Sequence, residues 1–472
     1  MTHKQKHRMA WTLAVTPVAL FMVSLDNLVV TTALPVIRHS LHASISQLEW
    51  TVNAYTLTFA VLLLTGAALG DRFGRRRLFV AGLLLFTGAS AFAALATSAT
   101  MLDAARAAQG VGGAIVAPLT LTILSAGVPA ERRGLALGIW GGVGGLAVAL
   151  GPLVGGAVVD GISWHWIFWL NVPIGLVLAP LAWRQLEETR GADSGLDLRG
   201  LGLASAGLLG IVWGFVRGNG HGWTSVGVVT PLAAGVLLVA GFIAWELRAP
   251  APMLPMRFFR NRTFALANVA SLLMFFGMFG SIFLLAQYFQ TAQGLSPLQT
   301  GLRILPWTAM PIFVAPIAGA LSDRIGGERL MAAGLALQGT GLLWIAAVST
   351  PTTPYADFVG AFVLSGVGMA LFFAPVANVV LGSVRPEEQG KASGATNAIR
   401  ELGGVFGVAV LAAVFTHAGG YGSPQTFVDG SKVAVTVGGI VVLLGAVAAA
   451  LIRRRPRGAE APAAEATLAE VA

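Results

Sequence analysis

The sequence predicts an all-α membrane protein made of two related bundles, and three observations carry that expectation. Apolar runs of about 20 residues recur from one end to the other, each long enough to cross a ~30 Å hydrocarbon core. Only 11% of the 472 residues are charged, under half the roughly 25% of soluble domains. Hydrophobic residues make up 56%, with a mean hydropathy of +0.76. Finally, a charged turn from Ala67 to Leu78, AALGDRFGRRRL, returns from Gly319 to Arg329 as GALSDRIGGER. Its two aspartates, Asp71 and Asp323, lie 252 residues apart, the mark of an internal repeat.

The runs contain helix-compatible residues without strand-like alternation, so helices are expected rather than barrel strands. Fourteen spans can be placed, at about 11–37, 47–69, 78–97, 101–125, 134–158, 165–184, 199–217, 229–247, 263–290, 300–321, 329–348, 356–381, 391–416 and 433–452. With a cytosolic N-terminus, 24 of the 30 Lys and Arg residues fall in cytosolic segments, as the positive-inside rule requires. That asymmetry supports an even number of spans and two cytosolic termini. The net charge of +9 is thus a topology signal rather than a nucleic-acid footprint.

The repeat extends to ERRGLALG at Glu131–Gly138 and EEQGKASG at Glu387–Gly394, an offset of 256. Both offsets correspond to about eight spans, so spans 1–6 match spans 9–14 and spans 7–8 are an inserted pair. The expected division is a six-helix bundle at 1–190, the inserted pair at 191–262, a second bundle at 263–455 and a disordered cytosolic tail at 456–472. The apolar run from Trp11 to Ile37 is too long for a signal-peptide core and contains Asp26, so no cleavable leader is expected. The absence of Cys rules out thiol chemistry and suits a bacterial inner membrane.

Four stretches resemble the major facilitator superfamily, and together they cover essentially the whole chain. The first is the charged turn, similar to the family's G-x-L-a-D-r-x-G-r motif through Leu69, Asp71, Arg72, Gly74, Arg75 and Arg76, with Ala67 in the first position. Its second copy keeps Gly319, Leu321, Asp323, Arg324 and Gly326. In span 4, LDAARAAQGVGGA carries Arg106, Gln109 and Gly110; in span 5, Gly138, Gly151, Pro152, Gly155 and Gly156 fit the antiporter motif, with Ala147 where a glycine is usual. Lastly, LDNLVVTTALP from Leu25 to Pro35 resembles the first-span motif of the fourteen-span drug:proton antiporter branch, of the EmrB/QacA type, departing from it at Leu28 and Thr31. The resemblance implies a major facilitator fold of two six-helix bundles plus two inserted helices. It also implies gating by Asp71, Arg72, Gly74, Arg75, Asp323 and Arg324, and a part for Arg106 in proton transfer.

Three ionisable groups stand at membrane depth. Asp26 lies 15 residues past Trp11, ~22 Å along a helix, with no charge near it in sequence. An ionised carboxylate there is expensive and needs a cavity or a partner. It can take a proton or meet a cation, and doing both at once is disfavoured, which suffices for exchange; a purely structural Asp between helices is the alternative. Glu401 sits about ten residues into span 13, ~15 Å deep, and stands for a substrate or proton role against a salt bridge to another helix. Its neighbour Arg400 points ~100° away, so the two need not pair. Arg106 lies towards the outer end of span 4, where snorkelling competes with function.

Trp50, Asn53, Tyr55, Gln109, Phe275, Phe276, Phe279, Gln287 and Tyr288 are candidates to line a cavity. The seven histidines show no metal spacing, so no metal is expected. The glycines of span 5 lack the strand and acidic partner of a dinucleotide site, and no G-x-x-x-x-G-K-[ST] loop occurs. The reading is a monomeric, cofactor-free exporter in a lipid bilayer that exchanges small lipophilic compounds, cationic ones included, for protons by alternating access. An importer or metabolite exporter of the same fold and a transport-dead scaffold or sensor are its rivals. An intramembrane enzyme lacks a nucleophile–base set, so no enzyme is expected.

Overall fold

The computed structural model describes residues 3–128, 130–190, 197–250, 252–385 and 388–452, and every element among them is helical. In chain order the helices are α1 (His3–Leu41), α2 (Ile45–Phe73), α3 (Arg75–Ala94), α4 (Ala99–Gly127), α5 (Ala130–Gly161), α6 (Trp166–Trp169) and α7 (Asn171–Gln185). There follow α8 (Leu198–His221), α9 (Val226–Glu246), α10 (Arg262–Gln287) with a π-helical turn at Tyr288–Ala292, α11 (Pro297–Thr308) and α12 (Met310–Ile325). The last four are α13 (Gly327–Val348), α14 (Tyr355–Leu381), α15 (Gln389–Ala418) and α16 (Pro424–Ala450). Each expected span falls on helix. Among the described residues twelve stretches are long and apolar enough to cross a membrane, α6–α7 and α11–α12 each counting as one. A further candidate is α2, bent by 50° between Leu63 and Thr65. The expected tail at 456–472 lies outside the described residues.

The repeat is visible in the packing. In the first half α1 packs on α5, α2 on α4, α3 on α4 and α3 on α7; in the second, α10 packs on α15, α12 on α14, α13 on α14 and α13 on α16. The halves meet reciprocally, α5 against α11 and α2 against α15. The inserted α8 and α9 pack on each other, and α8 docks on α2 and α15.

Both charged turns take one backbone shape. Gly74 has φ 110° and Gly326 φ 98°, a region open to glycine and costly to other residues. Each amide donates back to the preceding helix, Gly74 to Gly70 and Gly326 to Ser322. A carboxylate sits beside each glycine, Glu188 in the first copy and Glu328 in the second. The Gly74 turn, the start of α1 and the end of α7 share one face, because Arg8 pairs with Glu187 and Arg76 with Glu188. This is the basic face; the other end of the helices is the opposite face.

The opposite face is closed. A Cβ on Gly156 would lie 2.3 Å from the Pro297 carbonyl oxygen, and one on Gly301 2.3 Å from the Pro152 carbonyl oxygen. Only glycine lets α5 and α11 approach so nearly. Across the same end, Gln290 donates to the Thr32 carbonyl at 2.8 Å, and the Arg38 guanidinium lies 3.8 Å from the Tyr421 ring centre. A valine at 301 should therefore hold the two ends apart. Since the chain has no Cys, a cysteine introduced at Thr32 reports this without background. Gly301→Val should raise its labelling by a membrane-impermeant maleimide severalfold, and unchanged labelling would show that α5–α11 contact does not keep this end shut.

Candidate functional site

The membrane-depth charges of the first half converge on one buried cluster. Asp26 on α1 and Arg106 on α4 form an ion pair whose side chains are both 0% exposed. Burying two charges is costly unless their remaining hydrogen-bonding capacity is also met, and polar neighbours meet most of it. Arg106 Nη1 donates to Asp26 Oδ2 and to Gln109 Oε1 at 3.0 Å, while Nε donates to the Thr51 carbonyl at 3.1 Å. Asp26 Oδ1 accepts from Gln109 Nε2 at 3.1 Å and from Asn171 Nδ2 at 2.6 Å. Gln109 Nε2 also donates to Ser90 Oγ at 2.8 Å. The Tyr55 ring, its hydroxyl tied to the Val23 carbonyl, lies 4.2 Å from the guanidinium carbon, a cation–π contact. Residues of α1, α2, α3, α4 and α7 thus meet at one carboxylate–guanidinium pair.

Several expectations change here. Asp26 reaches no cavity; of the two surroundings open to a buried acid, it has the charged partner. Arg106 does not snorkel. Gln109 and Tyr55 belong to this cluster rather than to a cavity wall. Asn53 is fully buried and lines no cavity either. Trp50 turns the other way, its ring 5.5 Å from Trp213 of inserted α8. Gln287 and Tyr288 sit near the opposite face: Tyr421 donates to Gln287, and Tyr288 donates to the Thr350 carbonyl at 2.6 Å.

Four residues absent from the sequence reading complete the site: Ser90 and Thr51, placed above, with Asn171 and Asp103. Asn171 opens α7 just before Pro173, whose missing N–H interrupts the helix and frees the asparagine to turn inward. A lone Asn in the apolar run WIFWLNVPIGL was the available signal. Asp103, one turn from Arg106 on α4, accepts from the Thr51 hydroxyl at 2.9 Å, so Thr51 links the two residues through its hydroxyl and carbonyl.

In the second half Arg400 and Glu401 form no ion pair with each other. The Arg400 guanidinium lies 4.5 Å from the Phe275 ring centre and 4.9 Å from that of Phe373; Phe275 and Phe279 stack at 5.7 Å. Glu401 lies within electrostatic reach of Tyr55 across the bundle interface. The gating residues of the first copy pair locally: Arg75 Nε donates to Asp71 at 2.7 Å within the same turn, while Arg72 is exposed. The side chains of Asp323 and Arg324, and the surroundings of Gly138, lie outside the described residues. In α5, a Cβ on Gly151 would meet Leu28 at 2.5 Å and one on Gly155 would meet the Val29 carbonyl oxygen at 2.6 Å; with Gly156 and Pro152 they form the crossings to α1 and α11. No cluster of three metal-ligating side chains occurs among the described residues.

A helical membrane protein of two repeated, reciprocally packed bundles with a buried charge cluster in one of them is a transporter-type architecture. Residues 18–408 and 267–471 match the family model described as Major Facilitator Superfamily, and the chain belongs to that family: it is a membrane transporter. It is 38% identical over 410 residues to the cephamycin export protein CmcT of Amycolatopsis lactamdurans, covering 86% of this chain and 84% of that one. With the tetracenomycin C resistance and export protein of Streptomyces glaucescens it shares 34% identity over 402 residues, 85% of this chain and 74% of the relative. With the methylenomycin A resistance protein of Streptomyces coelicolor it shares 32% over 436 residues, 92% and 90%. Its fold is also similar to that of a bacterial homolog of the human lysosomal transporter Spinster, at a TM-score of 0.67 and 16% identity over 94% of this chain and 96% of the other.

Removing one member of a buried ion pair strands the other, at about 3–5 kcal/mol. Arg106→Leu alone should therefore lower the melting temperature of the purified protein more than Asp26→Leu and Arg106→Leu combined. Additive shifts would show that the two charges do not depend on each other.

Proposed function

We propose that the chain is a proton-coupled exporter of lipophilic, drug-like compounds, cationic ones included, working by alternating access as a monomer in a bacterial inner membrane. In this reading there are fourteen spans, with α2 and α5 crossing in addition to the twelve, and the basic face with both termini is cytosolic. The two bundles are 1–190 and 263–455, the inserted pair is 191–262 and 456–472 is a cytosolic tail. No cofactor takes part; the proton gradient is the energy source.

The single observation that carries this reading is the sealed Asp26–Arg106 pair, set in a chain whose relatives bear names of antibiotic export and resistance. A proton arriving at Asp26 cancels the counter-charge of Arg106, so the guanidinium must find another acceptor or move. Asp103, linked to Arg106 through Thr51, is the carboxylate placed to receive that change. Protonation is thereby tied to rearrangement of α1 and α4, the coupling that exchange needs. Glu401, within electrostatic reach of Tyr55 in the first bundle, is the acid available to a cationic substrate or a second proton. The turns at Asp71 and Asp323 act as latches on the basic face, the Asp71–Arg75 pair being the arrangement of the state closed at the opposite face.

Everted membrane vesicles, in which an exporter faces inward, test this directly. An acid-inside gradient should drive ethidium uptake by the natural protein, and Asp26→Asn should lower that uptake at least tenfold at equal protein. Uptake indifferent to the gradient, or gradient-driven transport that survives Asp26→Asn, would overturn the proposal.

A further inference from the structure

The second half holds a cation that nothing in the proposed coupling scheme uses. Arg400 lies eleven residues into α15, which begins at the basic face, so its Cα is ~16 Å in from that end. Its guanidinium is bracketed by Phe275 of α10 and Phe373 of α14, at 4.5 and 4.9 Å from the ring centres. The two rings meet edge to face, 71° apart with centres 5.6 Å distant. They fix the guanidinium in place without neutralising it.

The hydrogen-bonding of Arg400 is incomplete. A guanidinium carries five N–H donors; here Nη1 donates to Asn397 Oδ1 at 3.2 Å, and Nε is buried with no partner. Arg400 belongs to none of the ion pairs among the described residues. Its neighbour Glu401 feels its charge but is not an ion-pair partner of it. Arg106, by contrast, has its carboxylate. A guanidinium kept this deep, pre-oriented and short of an anion is built to receive one, and its planar fork matches a carboxylate's two oxygens.

The place is also reachable. Arg400, Glu401, Asn397 and Phe373 keep partial exposure although they lie inside the bundle, whereas Asp26 and Arg106 have none. Contacts at Gly156, Gly301 and Thr32 shut the opposite face, so a ligand would approach Arg400 from the basic face, where α15 begins. Of the surrounding rings Phe373 keeps partial exposure and can meet a flat apolar body, while Phe275, buried and stacked on buried Phe279, holds the guanidinium in place.

We propose that Arg400, with Phe275, Phe373 and Asn397, forms a binding subsite for the acid group of an aromatic substrate. The carboxylate takes the guanidinium and the substrate's ring lies against Phe373. The transporter's substrates then include aromatic acids, beyond the lipophilic cations to which Glu401 answers. Its use in export rests on the proposed function, but binding at Arg400 does not depend on a gradient, so the two can fail separately.

The test is equilibrium binding to the purified full chain in detergent, with no gradient, read by the fluorescence of 9-anthracenecarboxylate and of its methyl ester. The natural protein should bind the acid at least tenfold more tightly than the ester. Arg400→Gln should bring that ratio to within twofold of one, Arg400→Lys should keep part of the preference, and the Kd for ethidium should move less than twofold in both. Equal affinity of the natural protein for acid and ester would overturn the proposal without recourse to any variant. So would an acid preference that persists in Arg400→Gln, or a parallel loss of ethidium binding, which would make Arg400 a packing residue. Failure of proton-driven uptake with this binding pattern intact would sink the coupling scheme instead.

Discussion

A carboxylate and a guanidinium buried together are the constraint around which the first bundle is arranged. Asp26 and Arg106 cannot be dry and charged unless each is close to the other and hydrogen-bonded at most of its remaining atoms. That requirement brings α1 and α4 into contact, pulls Asn171 in from the start of α7, and recruits Ser90 from α3 and Thr51 and Tyr55 from α2. The second bundle repeats the helix pairings without a counterpart of this ion pair at the corresponding place. Gly112 packs against Gly82 as Gly368 packs against Gly334, which sets Phe362 in the place of Arg106. There Phe362 stacks with Phe358 at 5.8 Å and with Trp307 at 6.3 Å. One architecture is thus held at corresponding points by an ion pair in one half and by aromatic rings in the other.

The repeat is also written in glycines, and these set how closely the helices cross. A Cβ at Gly155 would strike the backbone of α1, and one at Gly407, 252 residues on, the backbone of α10. Gly151 and Gly403 keep the same offset and make the neighbouring crossings. Without a hydrophobic drive between helices in lipid, such backbone approach and its dispersion contacts hold a bundle together. The offset of 256 read from the start of span 5 thus gives way to 252 further along the same helix, a shift of about one helical turn.

What the sequence made legible follows from how sharply each feature stands out from an apolar background. Charged turns, spans and the lone Asp26 and Arg106 are conspicuous because charge is rare at depth. The partnership between the two was not readable, since 80 residues separate them and only tertiary packing joins α1 to α4. Ser90 and Thr51 were hidden for another reason: hydroxyl residues in apolar helices commonly bond their own backbone, as Ser90 does to Phe86 and Thr51 to Gln47, so their spacing carries no signal. Trp50 was misplaced because α8 has no counterpart in the repeat, and nothing in the periodicity says that it docks on α2. Gln287 and Tyr288 were misplaced because Gln287 is the last residue of α10, 25 residues past Arg262, so the rise of the helix carries both to the end of the bundle rather than its middle.

The ion pair and the closure of the opposite face lie on one helix, which gives the proposed coupling a physical route. Asp26, Val29 and Thr32 follow one another at three-residue steps along α1, so the pair and the Thr32 carbonyl are ~9 Å apart. Val29 and Thr32 receive Gly155 of α5, and Thr32 also receives Gln290 from the other half. Rotating or sliding this segment to part Asp26 from Arg106 therefore disturbs both the α1–α5 crossing and the bond that ties the halves together. Closely packed helices do not deform gradually; they exchange one fitted arrangement for another. A proton at Asp26 and closure ~9 Å away then become two readings of one helix position. Glu401 and Arg400, on α15, lie outside this set of contacts.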